Sequence, residues 1–265
     1  MTTSIPHRAA ISTTECHLKT SRAIILAAGF GSRLSVDASH KLLTRVGKRS
    51  LLDRHLDNFS RLGIDEVIVV TGYDAEALTR AVNDHRRPSS ISVRCAYNGD
   101  FEGQNGLSVL AGVDAFDDDQ SFWLTMSDHL FDPALFDELN RRFDAERPDR
   151  WQGALVIDKK LETIFDMPDA TKVRTDTDDF AIGKQLQRFD VVDAGLFWCG
   201  PGFVEALRAE RRKRGDCSTS DAVRRLHRAD RFGFWDLGEF LWQDIDTPQA
   251  LAHAEKLLES KFSAS

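Results

Sequence analysis

Arg22–Leu34 reads RAIILAAGFGSRL, and the rest of the chain is best read outward from it. Arg22–Ala28 is a short, continuously apolar run, the pattern of a strand buried on both faces of a parallel sheet. It breaks at Gly29 and Gly31. A strand ending in a glycine loop leaves backbone N–H groups free to meet phosphate oxygens, because glycine permits close approach and unusual dihedrals. Neither common phosphate loop fits. A dinucleotide loop reads G-x-G-x-x-G, but Leu34 stands at its third glycine, and the G-K-S/T ending of a Walker loop is absent. Arg33 inside the loop and Lys41 shortly after it supply two cations instead, which suits a triphosphate whose leaving group is pyrophosphate. Taken alone, the same letters also describe a tight βα turn with solvated basic side chains.

Beyond the loop, apolar runs alternate with amphipathic stretches. Ser50–Leu62 places Leu51, Leu52, His55, Leu56 and Phe59 on one helical stripe. Glu66–Thr71 (EVIVVT) reads as a strand, Asp74–Val82 as a helix, Ile91–Tyr97 as a strand and Asn105–Phe116 as a helix. Ser121–Met126 (SFWLTM) reads as a further buried strand. This β-α-β-α-β-α-β order predicts a doubly wound parallel sheet. From about Trp151 the pieces shorten: Ala154–Ile157 and Thr171–Arg174 read as extended, and Val191–Trp198 as a buried strand, with Trp198 and Cys199 in the core. Pro201–Lys213 and Ser218–Leu226 read as helices, the second opened by Ser218 or Ser220. Thr247–Leu258 is a last helix, with Thr247 as cap and Pro248 at its first position. With no repeat and no linker, the economical partition is a flexible tail at 1–21 and one domain over 22–260.

A hydrophobic fraction of 42% with 29% charged residues in 265 places the chain among ordinary globular proteins. No stretch approaches the ~18 apolar residues of a membrane helix, and the polar opening residues offer no secretory signal, so a cytoplasmic protein is expected. The net charge of -7 opposes nucleic acid, whose phosphates need a basic face, while a small phosphorylated ligand needs only a few local cations. Cys16, Cys95, Cys199 and Cys217 are scattered, which argues for free thiols rather than a disulfide framework or a zinc site. Homo-oligomerisation is left open.

Two acidic segments stand far apart in sequence. Phe122–His129 (FWLTMSDH) runs a buried strand into Asp128, at the sheet edge where open α/β folds bind ligands. Trp242–Thr247 (WQDIDT) offers Asp244 and Asp246, which alternation places on one side of an extended segment. Mg²⁺ takes one or two carboxylates plus phosphate oxygens and water, so Asp128 with Asp246 or Asp244 meets its needs. Either aspartate taken singly could instead cap the helix that follows it.

LAAGFGSRL followed by Lys41 resembles the L-A-A-G-x-G-T-R-L…K-P-L opening of the sugar-phosphate and alcohol-phosphate nucleotidyltransferases, with Ser32 for Thr and Leu42 for Pro. NGLSVL (Asn105–Leu110), MSDH (Met126–His129), DATKV (Asp169–Val173), IGKQL (Ile182–Leu186), FDVVDAGLF (Phe189–Phe197) and WQDIDT narrow it. In chain order over residues 22–258 they resemble the cytidylyltransferase domain of the inositol-phosphate cytidylyltransferases, often fused to a membrane-embedded synthase. That resemblance implies a Rossmann-like three-layer α/β/α fold with a mostly parallel mixed sheet. It implies Mg²⁺-dependent transfer of CMP from CTP to inositol 1-phosphate, the acceptor being held within about 151–200.

The resemblance also implies roles. Leu26, Ala27, Ala28, Gly29, Gly31 and Ser32 would hold the nucleotide from one side, and Gln104, Asn105 and Gly106 from the other. Arg33, Lys41 and Lys184 would supply catalytic charge, and Asp128, Asp244 and Asp246 the metal ligands. Lys172, Asp193, Gly195 and His129 would face the acceptor. Ala194 stands where that group tends to have Thr beside the acceptor pocket. The rivals are another acceptor (a hexose 1-phosphate, phosphocholine or an aminoalkylphosphonate), a non-catalytic regulatory relative, or a Rossmann oxidoreductase, which the loop opposes.

Overall fold

The computed structural model describes residues 20–31, 40–85, 91–116, 120–176 and 178–260. The first half contains β1 (Arg22–Leu26), β2 (Arg45–Val46), β3 (Arg49–Ser50), α1 (Leu51–Arg61), β4 (Glu66–Thr71), α2 (Ala75–Asp84), β5 (Ser92–Tyr97) and α3 (Asn105–Val113). It continues with β6 (Phe122–Met126), β7 (His129–Phe131) and α4 (Pro133–Glu146). The second half adds β8 (Gly153–Asp158), β9 (Lys172–Arg174), β10 (Ala181–Gly183), β11 (Val191–Cys199), α5 (Pro201–Arg214) and α6 (Thr219–Arg228). β12 (Phe232–Asp236), β13 (Trp242–Asp244) and α7 (Pro248–Ser260) complete it.

The main sheet runs β10-β9-β11-β6-β1-β4-β5, with β8 beside β11 and β12 beside β8. β6, β1, β4 and β5 are parallel, as the βαβ order requires. β11 then enters antiparallel to β6, and β8 and β9 lie antiparallel to β11. The sheet is therefore mixed, and its longest ladder, between β4 and β5, is parallel.

Alternation along β1 explains the layers. Ile24 and Leu26 pack with Leu107 and Leu110 of α3, Phe203 of α5 and Val223 of α6. Ala23 and Ile25 pack with Leu52 and Phe59 of α1, Val82 of α2 and Phe136 of α4. Successive side chains point to opposite faces, so one apolar run serves two cores and the result is helix, sheet, helix. Each fully buried Ile or Leu contributes about 1.5–3 kcal/mol.

Helix starts follow local chemistry. Ser50 with Asp53, and Ser218 with Asp221, form reciprocal capping boxes. Thr247 Oγ1 accepts from Ala250 N at 3.1 Å, so the cap of α7 is Thr247 and not Asp246. Likewise Asp132, followed by Pro133, caps α4, leaving Asp128 uninvolved. The sequence reading assigned no element at 133–146, although Asp-Pro followed by Leu135, Phe136, Leu139 and Phe143 carries the signal.

Thr20 and Ser21, which the sequence reading includes in a flexible tail, are held against the sheet. Thr20 is buried, and its Oγ1 meets Ser121 Oγ at 2.8 Å and accepts from Trp198 Nε1 at 3.1 Å. Ser21 O accepts from Asp65 N at 2.9 Å. Residues 1–19 lie outside the described residues. Among the described residues, no helix is long and apolar enough to cross a membrane.

Candidate active site

β1 and β6 are parallel neighbours that end together, Leu26 opposite Met126. The chain beyond each therefore emerges at the same carboxyl edge, with Ser127 N donating to Leu26 O at 3.0 Å. A cavity of about 790 Å³ opens there. Leu26, Ala27, Ala28, Gly29 and Gly31 line it, with Lys41, Asp128, His129, Lys184, Asp193, Gly195, Asp244 and Asp246. Asn105 lines it too.

The two acidic segments meet through a small ribbon. β13 pairs antiparallel with β7, setting Asp244 opposite His129 and Gln243 opposite Leu130, and Ile245 N donates to Asp128 O at 2.8 Å. At the centre, Lys41 Nζ donates to Asp128 Oδ2 at 2.9 Å and to Asp246 Oδ1. One ammonium thus joins the ends of two distant segments, its single positive charge shared between two carboxylates. All three side chains are largely sheltered, where charge pairs act through a low dielectric.

Asp128 also accepts from His129 Nδ1 at 2.8 Å. Burial pushes the Asp128 carboxyl up, but His129 and Lys41 outweigh it and hold it well below the usual carboxylate range. Burial pushes His129 down, yet the Asp128 bond and charge, with Asp244 and Asp193 nearby, raise it above the ordinary imidazole value. Its ring stacks on Trp242, centroids 5.4 Å apart at 15°, and Trp242 Nε1 is itself held by Asp158 Oδ2 at 3.0 Å. His55 of α1 is a buried, neutral prop behind this turn: burial lowers it to about 4, and the Ser127 backbone only partly offsets that.

β11 reaches the cavity through a bulge. Its register against β8 shifts between Asp193 and Phe197, and Gly195 lies at φ +75°. Bulges of this kind re-aim side chains beside sites. Gly195 N donates to Asp193 Oδ1 at 2.7 Å, and a Cβ at Gly195 would sit 2.4 Å from His129 Nε2. Only a residue without a side chain fits against that ring. Burial pushes the Asp193 carboxyl up to about 6 against the Gly195 N–H and His129.

A third carboxylate converges with the second segment. Asp169, Asp244 and Asp246 each offer an oxygen, all within 4.8 Å of one another. Hard carboxylate oxygens at this spacing suit Mg²⁺. Asp128 is not in this trio; it is linked to Asp246 by Lys41. Asp169 appeared in the sequence only as part of DATKV, and its place became visible when β13 and the loop before β9 were folded together. Asp169 Oδ1 also accepts from Lys184 Nζ at 2.8 Å. Burial raises the Asp244 carboxyl, Asp128 adding to the effect and His129 opposing it. Gln243, buried beneath, donates to Asp244 O and Oδ1 at 2.7 and 3.0 Å and meets His253 Nδ1 at 3.1 Å.

Three expected contact residues do not line the cavity. Lys172 is buried with Nζ on the carbonyls of Pro168, Ala170 and Lys184, at 3.2, 3.1 and 2.9 Å. It therefore ties the Asp169 loop to the Lys184 turn instead of reaching the cavity. Gln104 turns to Asp216, and Gly106 N donates to Cys217 O at 3.0 Å. Asn105 accepts from Thr219 N at 2.9 Å, so its amide braces the start of α6. Ala194 is fully buried in the core on the α1 side and does not line the cavity. Ser32 and Arg33 lie outside the described residues.

The MobA-like NTP transferase domain family matches residues 23–160, more than half of the chain. A Rubrobacter xylanophilus protein named bifunctional IPC transferase and DIPP synthase is 32% identical over 240 residues, covering 89% of this chain and 51% of its own. Its Thermococcus kodakarensis namesake is 30% identical over 239 residues, covering 89% and 50%. The chain thus spans about half the length of these relatives. Among solved structures, the inositol-1-phosphate CTP transferase from T. maritima has the same fold, with a TM-score of 0.71, 22% identity and coverage of 91% and 98%. The matched region contains the β1 glycine loop, Lys41 and Asp128 of the cavity, and the chain belongs to the MobA-like NTP transferase family.

Proposed function

We propose that this chain is a Mg²⁺-dependent cytidylyltransferase that makes CDP-inositol and pyrophosphate from CTP and inositol 1-phosphate. The observation that carries the transfer reading is Lys41 joining Asp128 and Asp246 beside the β1 loop. The acceptor and the base are favoured by relatives named IPC transferase over nearly all of this chain. Free thiols at Cys199 and Cys217 accord with a reducing, cytoplasmic setting.

The acceptor's phosphate monoester is largely dianionic at neutral pH, with a second pKa near ~6, so it needs no general base. One of its oxygens bonds to the α-phosphorus while the bond from that phosphorus to the bridging oxygen breaks, and pyrophosphate leaves with the electron pair. Positioning and charge stabilisation supply the catalysis. Lys41, in the cavity beside the loop, would meet the triphosphate, and Lys184, held by Asp169, would meet the acceptor's phosphate. Mg²⁺, when bound, supplies positive charge to the α-phosphate and the leaving pyrophosphate. Asp169, Asp244 and Asp246, with Asp128 beside them, are the carboxylates that would hold it. Asp193 and Gly195, which line the cavity, would face the acceptor's hydroxyls, and a site built to pair hydroxyls rejects analogues lacking them.

The test is a matrix of CTP, UTP and GTP against inositol 1-phosphate, glucose 1-phosphate, phosphocholine and 2-aminoethylphosphonate, read by pyrophosphate release. CTP with inositol 1-phosphate should give the highest kcat/KM. A preference for a hexose phosphate with UTP would replace both substrate assignments, and no release from any pair would leave a non-catalytic protein.

A further inference from the structure

The cavity has two unlike ends, and the sheet order sets them. Along the carboxyl edge the strands run β11, β6, β1, β4, β5. Asp193 and Gly195 of β11 therefore lie toward one end, Asp128 and the β1 loop at the centre, and the turns after β4 and β5 toward the other. The β11 end is lined by Asp193, Lys184 and Asp169. The β4–β5 end is lined by Phe30, Tyr73 and Phe101, whose rings touch: Phe30 lies 4.9 Å from Tyr73 and 5.6 Å from Phe101 between centroids. Phe30 is 52% exposed and Tyr73 46%, so the ring faces are offered to the cavity rather than consumed by the core. A cluster of touching exposed rings, unlike a lone surface apolar residue, marks a contact surface.

The backing of these rings is fixed. Tyr73 N donates to Ala28 O at 3.0 Å, tying the turn after β4 to the end of β1. At Gly72 a Cβ would sit 2.4 Å from Phe101 Cβ and 2.7 Å from Ala28 O, so the three segments pack as closely as backbone permits. Phe30 directly precedes Gly31, which lies against the Lys41 side chain.

We propose that Phe30 and Tyr73, backed by Phe101, form the stacking face for the nucleobase of the triphosphate; this rests on the nucleotidyl-transfer reading above. A triphosphate whose phosphates meet Lys41 sends its nucleoside toward one end of the cavity and leaves the other to the acceptor. A nucleobase has a π-face that matches aromatic rings. A polyhydroxylated phosphate has none, and it matches the carboxylates and ammonium of the β11 end. Because every base stacks, this face supplies affinity common to all nucleotides and leaves base choice to other groups.

Calorimetric titration of the full chain with CTP, UTP, GTP and inorganic tripolyphosphate, with Mg²⁺ and no acceptor, tests this. Phe30→Ala and Tyr73→Ala should each weaken all three nucleotides by about 5- to 100-fold while leaving tripolyphosphate binding unchanged. Phe30→Trp should restore the nucleotides. Unchanged nucleotide Kd in both alanine variants, or an equal loss for tripolyphosphate, overturns the stacking face and leaves nucleotidyl transfer standing. A raised acceptor KM with unchanged nucleotide Kd assigns the rings to the acceptor and also overturns it. A wild-type chain that binds none of the nucleotides overturns both readings.

Discussion

Replacing Gly195 by alanine tests the site at a single atom. The backbone there has φ +75°, a region that costs an L-residue roughly 1–2 kcal/mol relative to glycine. The new Cβ would lie 2.4 Å from His129 Nε2 and 2.5 Å from its Cδ2, so the imidazole must leave its place. That ring is held by its 2.8 Å bond to Asp128 and by the Trp242 stack. Losing a hydrogen bond to a charged group costs about 1.5–3 kcal/mol. Together the two effects come to roughly 2.5–5 kcal/mol, a fall of about 5–20 °C in Tm for a chain of this size. Thermal denaturation of Gly195→Ala in the wild type and in a His129→Ala background separates them. With the imidazole gone, only the backbone cost should remain, so the cycle should show a coupling of about 1.5–3 kcal/mol. Equal costs in both backgrounds, within about 0.5 kcal/mol, would refute the steric argument.

Lys41→Ala should lower kcat by about 10²–10³, the loss of one oriented charge at a reacting phosphate, with a smaller effect on Tm; wild-type kcat/KM would make Lys41 a bystander. Asp128→Asn and Asp246→Asn should each reduce turnover by orders of magnitude, and Asp169→Asn should raise the Mg²⁺ concentration needed for half-maximal rate. Chelation with EDTA should abolish pyrophosphate release, and persistence of the full rate in EDTA would sink the metal assignment. Asp193 binds its proton more tightly folded than unfolded, since its pKa rises from 3.8 to about 6. Stability should therefore fall as pH climbs from about 4 through 6. Asp193→Asn should remove that fall, gaining at most about 3 kcal/mol at pH 7 and nothing near pH 3.5. Thermal midpoints across this range decide it, and a gain independent of pH would contradict the burial argument.

By itself the sequence determined whatever neighbours along the chain decide. EVIVVT is a strand at Glu66–Thr71, as read, because a β-branched apolar run suits a pleated surface buried on both sides. Ser50, Ser218 and Thr247 start helices because a cap acts within three residues of itself. The glycine loop, Lys41 and the acidic segments were legible as residue types in order, and so was the family they imply. Tertiary structure alone decided how those types meet. β7 and β13 are three-residue strands with almost no local signal, and they form because each supplies the other's hydrogen bonds. That pairing brings Asp244 beside His129 and Asp246 to Lys41. Antiparallel β11 and its bulge at Gly195 likewise depend on partners remote in sequence, and so does the bond by which Lys172 reaches the Lys184 carbonyl. Asp169 became a third converging carboxylate for the same reason: a side chain's spacing along the chain says where it can start, and only the packing of distant segments says where its charge ends.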